Sequence, residues 1–292
     1  MGTFPWKHNY CIICLESKEL SSEHIIPKSL GGVLTCRCVC ENCNNHMGHQ
    51  FENEAKNSDP VRIAISNLAE ALPNLYESIN RNSEYSTTID GQDFSQIYRN
   101  SGIFSAKRLN DGSLLVDEAE TKNILTQHLK KDGLSKAEIA KALDLVSNAP
   151  FEHIVDISNQ YSIKKRQNIH STPKLTGKPL PKNLILKIVY EFACARFGER
   201  VIEASPQFNL IRTFLLGGKD QFCSSNIKQF DGLVSLPFHG IAFEGNTPFA
   251  TFQIRLFGSI AYKVFIPNLE ILTVKTVYTH NLLDNSEHII SD

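Results

Sequence analysis

The chain has 292 residues, a length that predicts two domains or three small ones, and 41% of them are apolar, which is enough for ordinary hydrophobic cores. Its 30 lysines and arginines nearly balance 31 aspartates and glutamates, and this net charge of −1 excludes a globally basic nucleic-acid-binding protein. The sequence shows no secretory signal and no apolar run of membrane-spanning length, so we expect a cytoplasmic protein with reduced cysteines and no membrane partner.

Two Cys-x2-Cys pairs, Cys11/Cys14 and Cys40/Cys43, stand out near the start of the chain. Each pair sets two thiolates across a tight turn, the spacing of a zinc knuckle, and the intervening residues can bring the pairs together. Four thiolates close a tetrahedral site, so the pattern predicts a structural Zn²⁺ ion whose binding also stabilises the fold. The alternatives are disulfides, which suit a secreted protein better, and isolated buried thiols. The remaining cysteines are expected to be packing residues: Cys36, Cys38, Cys194 and Cys223.

Between the cysteine pairs lies Glu23-His24, followed by Ile-Ile-Pro, a pattern that predicts the end of a short strand. A twist or bulge allows neighbouring side chains on a strand to converge on one phosphate. A neutral histidine can take a proton from water, and a carboxylate can hold a hard divalent cation. Asn44 and Asn45 then enter a predicted helix, which can aim Asn44 back at that cation. Taken alone, His24 is equally well interpreted as a structural histidine.

Together these residues resemble the HNH endonuclease family in its zinc-ribboned ββα-metal form. The motifs that carry the resemblance are Cys11-x2-Cys14, Glu23-His24-Ile25-Ile26-Pro27, Gly31-Gly32 and Cys40-x2-Cys43-Asn44. The resemblance covers about the first fifth of the chain. It implies that His24 is the general base and that Glu23 and Asn44 bind one catalytic Mg²⁺ or Mn²⁺ ion. It also implies zinc on the four cysteines, with Asn45 as the fallback for Asn44.

Two positions depart from the family pattern. The family usually carries an asparagine that orients the general base, and this place falls near Thr35, whose single hydroxyl is a weaker brace than an amide. Glu23 stands where aspartate is commoner. The extra methylene moves the carboxylate outward, which can alter the metal preference.

The middle of the chain predicts elements without obvious chemistry. Residues 59–82 read as a linker helix that Pro73 ends or kinks. Residues 84–118 predict short strands with turns at Asp90-Gly91 and Asp111-Gly112. A capping box at Ser135-Lys-Ala-Glu138 opens a helix to about residue 147.

Residues 157–190 carry no acidic residue and are interrupted by prolines. Their basic residues are Lys164, Lys165, Arg166, Lys174, Lys178, Lys182 and Lys187. Such an irregular basic segment suits contact with a phosphate backbone, and it suits a solvated linker equally well. The candidate nucleic-acid contacts are Lys28, Arg37, Lys164, Lys165 and Arg166.

The C-terminal half predicts a central apolar helix over 183–198 that Gly198 ends, and a second helix near 208–216. From residue 230 the pattern predicts strands, and the polar tail from Asn281 is expected to fray. His239 on a strand is more often a buried structural histidine than a ligand contact. The predicted fold is therefore α+β: an HNH module (1–58), a linker helix (59–82) and a larger C-terminal domain (83–292) with a mainly antiparallel sheet and a buried helix.

We interpret the chain as a metal-dependent HNH endonuclease that hydrolyses phosphodiester bonds, with DNA as the expected substrate and RNA not excluded. The resemblance favours a bacterial restriction or anti-phage role, and cutting both strands would favour a homodimer. One alternative is a catalytically inactive zinc-ribbon nucleic-acid-binding protein, as Thr35 hints. Another is an effector nuclease gated by a ligand in the C-terminal domain, although no glycine-rich phosphate loop supports it.

Overall fold

The computed structural model describes residues 3–4, 6–81, 84–89, 92–97, 107–109, 111–117, 121–151, 153–158, 161–166, 172–199, 201–202, 206–222, 224–230, 236–246, 249–267 and 275–291. Contacts divide the chain into two compact units, Met1–Ile79 with Leu175–Asp292, and Asn80–Lys174. This grouping differs from the predicted order of module, linker helix and C-terminal domain. The reason is that residues 175–292 pack with the N-terminal module, while residues 80–174 form a unit of their own.

The described part of the N-terminal module begins with a small sheet and continues into helices. Its strands are β1 (Thr3–Phe4), β2 (Leu20–His24) and β3 (Thr35–Cys40). The helices are α1 (Glu41–Met47), α2 (Asn53–Lys56), α3 (Asp59–Ser66) and α4 (Pro73–Asn80), with a π-helical turn at Gly48–Glu52 between the first two. The sheet order is β1–β3–β2, with β1 parallel and β2 antiparallel to β3. The predicted strand end at Glu23-His24 and the helix after Cys43 are confirmed.

The predicted linker helix is two helices, because α3 ends at Ser66 and α4 begins at Pro73. Pro73 therefore opens a helix instead of ending one, a position where its missing N–H group is not needed. The first helix is tied to the C-terminal part of its own unit. The carboxylate of Asp59 accepts hydrogen bonds from the backbone N–H groups of Thr176 and Gly177, at 3.0 and 2.7 Å.

The unit formed by residues 80–174 has its own sheets and helices. Its described elements are β4 (Glu84–Ile89), β5 (Gln92–Ile97), β6 (Lys107–Arg108), β7 (Leu114–Asp117), α5 (Thr121–Lys131), α6 (Lys136–Asn148), β8 (Ile154–Ser158), β9 (Tyr161–Arg166) and β10 (Thr172–Pro173). They form sheets of order β10–β4–β5 and β6–β7–β9–β8. The capping box between Ser135 and Glu138 and the turn at Asp111-Gly112 are confirmed. The Asp90-Gly91 turn lies outside the described residues.

The C-terminal part supplies two helices and one antiparallel sheet within the residues described. The helices are α7 (Lys182–Phe197) and α8 (Pro206–Leu215); the strands are β11 (Ile227–Gln229), β12 (Phe238–Asn246), β13 (Phe249–Leu256), β14 (Ile260–Pro267), β15 (Lys275–Asn281) and β16 (Glu287–Ser291). The sheet order is β11–β14–β13–β12–β15–β16, with antiparallel neighbours throughout. The predicted helices and sheet are confirmed, including Gly198, which follows α7 with a positive φ of 73°.

The expectation that the tail frays from Asn281 is wrong. Asn281 accepts a hydrogen bond from the backbone N–H of Leu283, and Asp284 accepts one from Ser286, which closes a turn. The chain then returns as β16 along β15. Side-chain hydrogen bonds to nearby backbone in the polar segment explain why a sequence that looks unstructured forms a hairpin.

One hydrophobic core joins the N-terminal module to the C-terminal part. It contains Ile12, Leu30 and Phe51 from the module together with Tyr190 and Phe252 from α7 and β13. The α7 helix is buried along nearly all of its length. Although it is apolar, no helix among the described residues has the length and apolar character to cross a bilayer.

Hydrogen bonds reinforce this shared core. Side chains of the C-terminal part donate to backbone carbonyl oxygens of the module. The pairs are Tyr190 with Ile12 (2.8 Å), Arg212 with Ile13 (3.0 Å), Lys187 with His24 (2.9 Å) and His239 with Leu30 (2.9 Å). Since buried carbonyl groups are costly when unpaired, these donors make the module dependent on the C-terminal part.

The His239 ring is held in its neutral form. Its Nε2 donates to the Leu30 carbonyl, which leaves Nδ1 to accept from the backbone N–H of Phe257 at 3.3 Å. Burial lowers the pKa of His239 from 6.5 to about 4, although the hydrogen bond to Leu30 acts in the opposite direction. The preference for a structural histidine over a ligand contact therefore fits its surroundings.

We predict that His239 makes the fold acid-sensitive. The unfolded chain binds a proton at this ring below about pH 6.5, whereas the folded chain does so only near pH 4, so stability falls as pH falls through this window. The loss at pH 4.5 is about 2–3 kcal/mol. Urea unfolding at pH 7.5 and 4.5 measures it, and His239→Gln, which keeps a donor toward Leu30, should lose that much less.

The matched control is His288→Gln, because His288 is exposed on β16. The control should lose stability on acidification as the parent does. If parent and His239→Gln lose equal stability between the two pH values, His239 does not contribute to acid sensitivity.

Candidate functional site

The structure brings the four predicted zinc ligands together. Their Sγ atoms all lie within 4.8 Å of one another, with Cys14 and Cys40 at 3.9 Å. Cys11 and Cys14 sit in a turn before β2, where the backbone N–H of Ile13 donates to the sulfur of Cys11 at 3.4 Å. Cys40 ends β3 and Cys43 lies in the first turn of α1. A tight turn and a strand-to-helix junction thus present the two pairs to each other.

The chemistry of this cluster fits a tetrahedral zinc site. Burial raises the pKa of the Cys43 thiol, and the neighbouring thiols of Cys11 and Cys14 raise it further. Four thiolates therefore need a cation to coexist at this place, and Zn²⁺ suits a closed set of four sulfurs. The predicted packing role of the other cysteines is confirmed for Cys36, Cys38 and Cys194, which belong to the core; Cys223 lies outside the described residues.

Asn44 lies against the strand that carries Glu23 and His24. Its Nδ2 donates to Ser21 Oγ at 3.1 Å and to the Ser22 carbonyl at 3.4 Å. These bonds leave the amide oxygen of Asn44 as the atom that can accept a hydrogen bond or bind a cation. Asn45 is exposed at the next position of α1. Asn44 is therefore held against β2, whereas Asn45 is exposed.

The shape of β2 explains how neighbouring residues take different surroundings. Its register against β3 shifts between Ser21 and Glu23, which sets Glu23 opposite Cys36 and His24 opposite Thr35. Glu23 is only 3% exposed and points into the interior, whereas His24 is half-buried. Thr35, the predicted substitute for the orienting asparagine, thus pairs directly across the ladder from the predicted base.

His24 is poised to be neutral. Burial is the main cause that lowers its pKa below the ordinary value of 6.5, and the charges of Lys28 and Lys187 lower it further against the opposing effect of Glu23. A neutral imidazole has a free lone pair, so this ring can accept a proton near neutral pH.

Glu23 has a partner that sequence reasoning did not predict. Its Oε1 lies 2.6 Å from the Nζ of Lys187, which comes from α7. The same ammonium donates to the carbonyl oxygen of His24 at 2.9 Å. One cation from the C-terminal part therefore contacts both residues of the predicted catalytic pair.

Lys187 is 0% exposed and lies among three carboxylates. Besides Glu23, it contacts Glu191 at 3.0 Å and Glu52 at 3.9 Å. Burial alone would lower the pKa of Lys187, but the carboxylates outweigh it and the net shift is upward, so the side chain stays charged. Lys187 belongs both to the predicted basic segment (157–190) and to the predicted central helix (183–198). Its burial fits the central helix and removes it from the candidate phosphate contacts.

A signal for this cluster exists in the sequence. Lys187 and Glu191 are four residues apart in a helix that is otherwise apolar on more than one face. That spacing places them on one side of the helix, where they form an ion pair. Burial raises the pKa of both Glu52 and Glu191, so these groups take up protons more readily than exposed carboxylates.

The candidate nucleic-acid contacts fall into different surroundings. Lys28 is exposed on a single turn of 3-10 helix just after β2, and Arg37 is exposed on β3 with its Nε donating to Leu20. Lys164 is half-buried, and Lys165 is only 4% exposed, with its Nζ donating to the Ser147 carbonyl at 3.1 Å. Lys165 thus does not suit a phosphate contact, because its side chain is buried and its Nζ is already hydrogen-bonded. The side chain of Arg166 lies outside the described residues.

We predict that the purified chain carries about one zinc ion and that Cys43→Ser loses it. Since metal binding is also folding energy, the variant should unfold at a lower temperature than the parent. Metal analysis by mass spectrometry and thermal unfolding measure these effects.

Cys194→Ala is the matched control, because Cys194 is buried in the core and is not one of the four clustered cysteines. It should keep the parental zinc content whatever its effect on stability. Equal zinc content in Cys43→Ser and the parent would show that the cluster does not bind the metal.

Comparison with known families agrees with this geometry. Residues 11–60 match the HNH endonuclease family, and the matched range holds the four cysteines, Glu23-His24 and Asn44. Searches of curated proteins and of solved structures find no match for the chain. The N-terminal module of this protein, residues 11–60, is therefore an HNH endonuclease family domain.

Proposed function

We propose that the chain is a metal-dependent endonuclease that hydrolyses phosphodiester bonds in DNA, with His24 as the general base. The observation that carries the proposal is the meeting of three features: the sulfur cluster, a half-buried neutral His24 at the end of β2, and Asn44 held against that strand. The family match of residues 11–60 supports a nuclease in general.

Different residues have different roles in the proposed hydrolysis. His24 accepts a proton from the attacking water, and its backbone is held by the pairing with β3 and by the hydrogen bond from Lys187. Lys28, exposed beside His24, adds positive charge where a phosphate would lie. Products with a 5′-phosphate and a 3′-hydroxyl are what the family resemblance implies.

Glu23 and Asn44 are the residues that would hold a divalent ion. A carboxylate oxygen and an amide oxygen are the hard donors that Mg²⁺ and Mn²⁺ prefer. Glu23 lies on β2 and Asn44 on α1, and the hydrogen bonds of Asn44 Nδ2 join these two elements. Such an ion would stabilise the negative charge that develops on the phosphate. The family resemblance also supports DNA as the substrate, a restriction or anti-phage role, and a homodimer where both strands are cut.

We predict that His24→Ala lowers the cleavage rate by roughly 10²–10⁴-fold, the usual contribution of general-base catalysis. Conversion of supercoiled plasmid to nicked and linear forms, with Mg²⁺ or Mn²⁺, measures the rate. His49→Ala is the matched control, because His49 is an exposed histidine of the same module.

The control should cleave as the parent does. If the parent and His24→Ala are equally inert with both metals and on both DNA and RNA, yet bind nucleic acid, the chain is a zinc-stabilised binding protein and the endonuclease proposal is wrong.

We predict that replacing Asn44 changes the Mn²⁺ dependence of cleavage, whereas replacing its neighbour Asn45 does not. Asn44→Ala removes the amide oxygen beside β2, so it should raise the Mn²⁺ concentration needed for half-maximal cleavage by about 10-fold or more. Asn45→Ala, exposed on the same helix, should leave the Mn²⁺ dependence unchanged. The reverse result would move the ligand role to Asn45.

A further inference from the structure

We propose that Lys187 is a positioning residue of the nuclease site, so that the C-terminal part completes a catalytic centre of which the family-matched module supplies only the reacting groups. The inference rests on the proposed function. It concerns a residue far outside the matched range of residues 11–60.

The hydrogen bonds of Lys187 account for its whole donor capacity. An ammonium has three N–H donors, and three acceptors lie within 3.0 Å of its Nζ. They are Glu23 Oε1 at 2.6 Å, the His24 carbonyl at 2.9 Å and Glu191 Oε2 at 3.0 Å. Two of the three belong to adjacent residues of the predicted catalytic pair. A fully used tetrahedral donor fixes the directions of its acceptors as well as their distances.

The support behind this ammonium is rigid. Lys187 is completely buried on a helix whose neighbouring residues, Leu184 to Ala195, are buried as well. Tyr190, one turn further along α7, donates to the Ile12 carbonyl at 2.8 Å, and this second bond ties the same helix to the zinc-binding turn. Side chains that are locked by packing on a regular element hold a site more precisely than loops do.

Stability alone does not explain a lysine at this position. Burying an ion pair costs desolvation, and well-packed apolar residues of similar volume often stabilise a core as much or more. The flanking residues Leu186 and Ile188 show that this helix takes apolar residues readily. The lysine also orients the groups that it contacts. It holds one oxygen of Glu23 and thereby orients the other, and it fixes the main chain that carries the His24 ring. Partners behind a ligating group commonly act in this way.

The test compares variants of the full-length chain by steady-state cleavage at saturating Mn²⁺. Lys187→Met would leave three buried carboxylates without their cation, so the informative variant is Lys187→Met with Glu191→Leu, which also removes the carboxylate on the same helix face. Lys187→Arg keeps the charge with a different donor geometry. Lys182→Met, on the same helix with a half-exposed side chain, is the matched control.

We expect kcat to fall 10- to 100-fold in the double variant, the range found for residues that orient metal-site ligands, while KM for DNA stays at the parental value. The kcat of Lys187→Arg should lie between those of the parent and the double variant, and the kcat of Lys182→Met should match that of the parent. A role in folding alone would not separate kcat from KM in protein that circular dichroism shows to be folded and that carries its zinc.

A folded, zinc-loaded variant without an amine at position 187 that keeps the parental kcat overturns the inference. Should the double variant fail to fold, a folded, zinc-loaded Lys187→Arg that keeps the parental kcat overturns the inference instead. The proposed function is tested separately, since it requires the parent to cleave and His24→Ala not to. An inert parent would overturn both.

Discussion

Polar side chains on a buried helix cost free energy unless they find hydrogen-bond partners. This constraint on α7 organises the unit formed by the N-terminal module and the C-terminal sheet. Lys187 and Tyr190 meet it by bonding to the main chain of the module, at His24 and Ile12. Each bond lies beside a segment of the candidate site, the proposed catalytic pair or the turn that carries Cys11 and Cys14. The buried helix therefore fixes the main chain of a candidate site that lies on other elements.

Two kinds of interaction hold the small module together. The sulfur cluster joins the first turn to the junction of β3 and α1. The shared hydrophobic core includes residues of that turn, such as Ile12 and Ile13, and also covers Leu30, whose carbonyl accepts a hydrogen bond from His239. Metal binding at the sulfur cluster would add to the stability that the shared core gives to a segment too short to build a core alone.

Local signals predicted much of this molecule. Paired cysteines, a capping box and a glycine after a helix act over a few residues, and the structure confirms the cysteine cluster, the start of α6 and the end of α7. These local signals do not predict which distant residues pack together. Nothing local shows that Lys187 reaches Glu23, or that Lys165 lies on an inner strand. The strand after Asn281 was missed because its pairing depends on β15.

The unit that holds the HNH module is interrupted in sequence between Ile79 and Leu175. Near the two ends of the intervening segment, β4 and β10 pair side by side, and the N–H of Lys174 bonds to the carbonyl of Glu84 at 3.0 Å. A segment that leaves and returns at one place can be exchanged, lengthened or shortened with little strain on its host. Residues 80–174 can therefore change in length or sequence with little effect on the residues that surround His24.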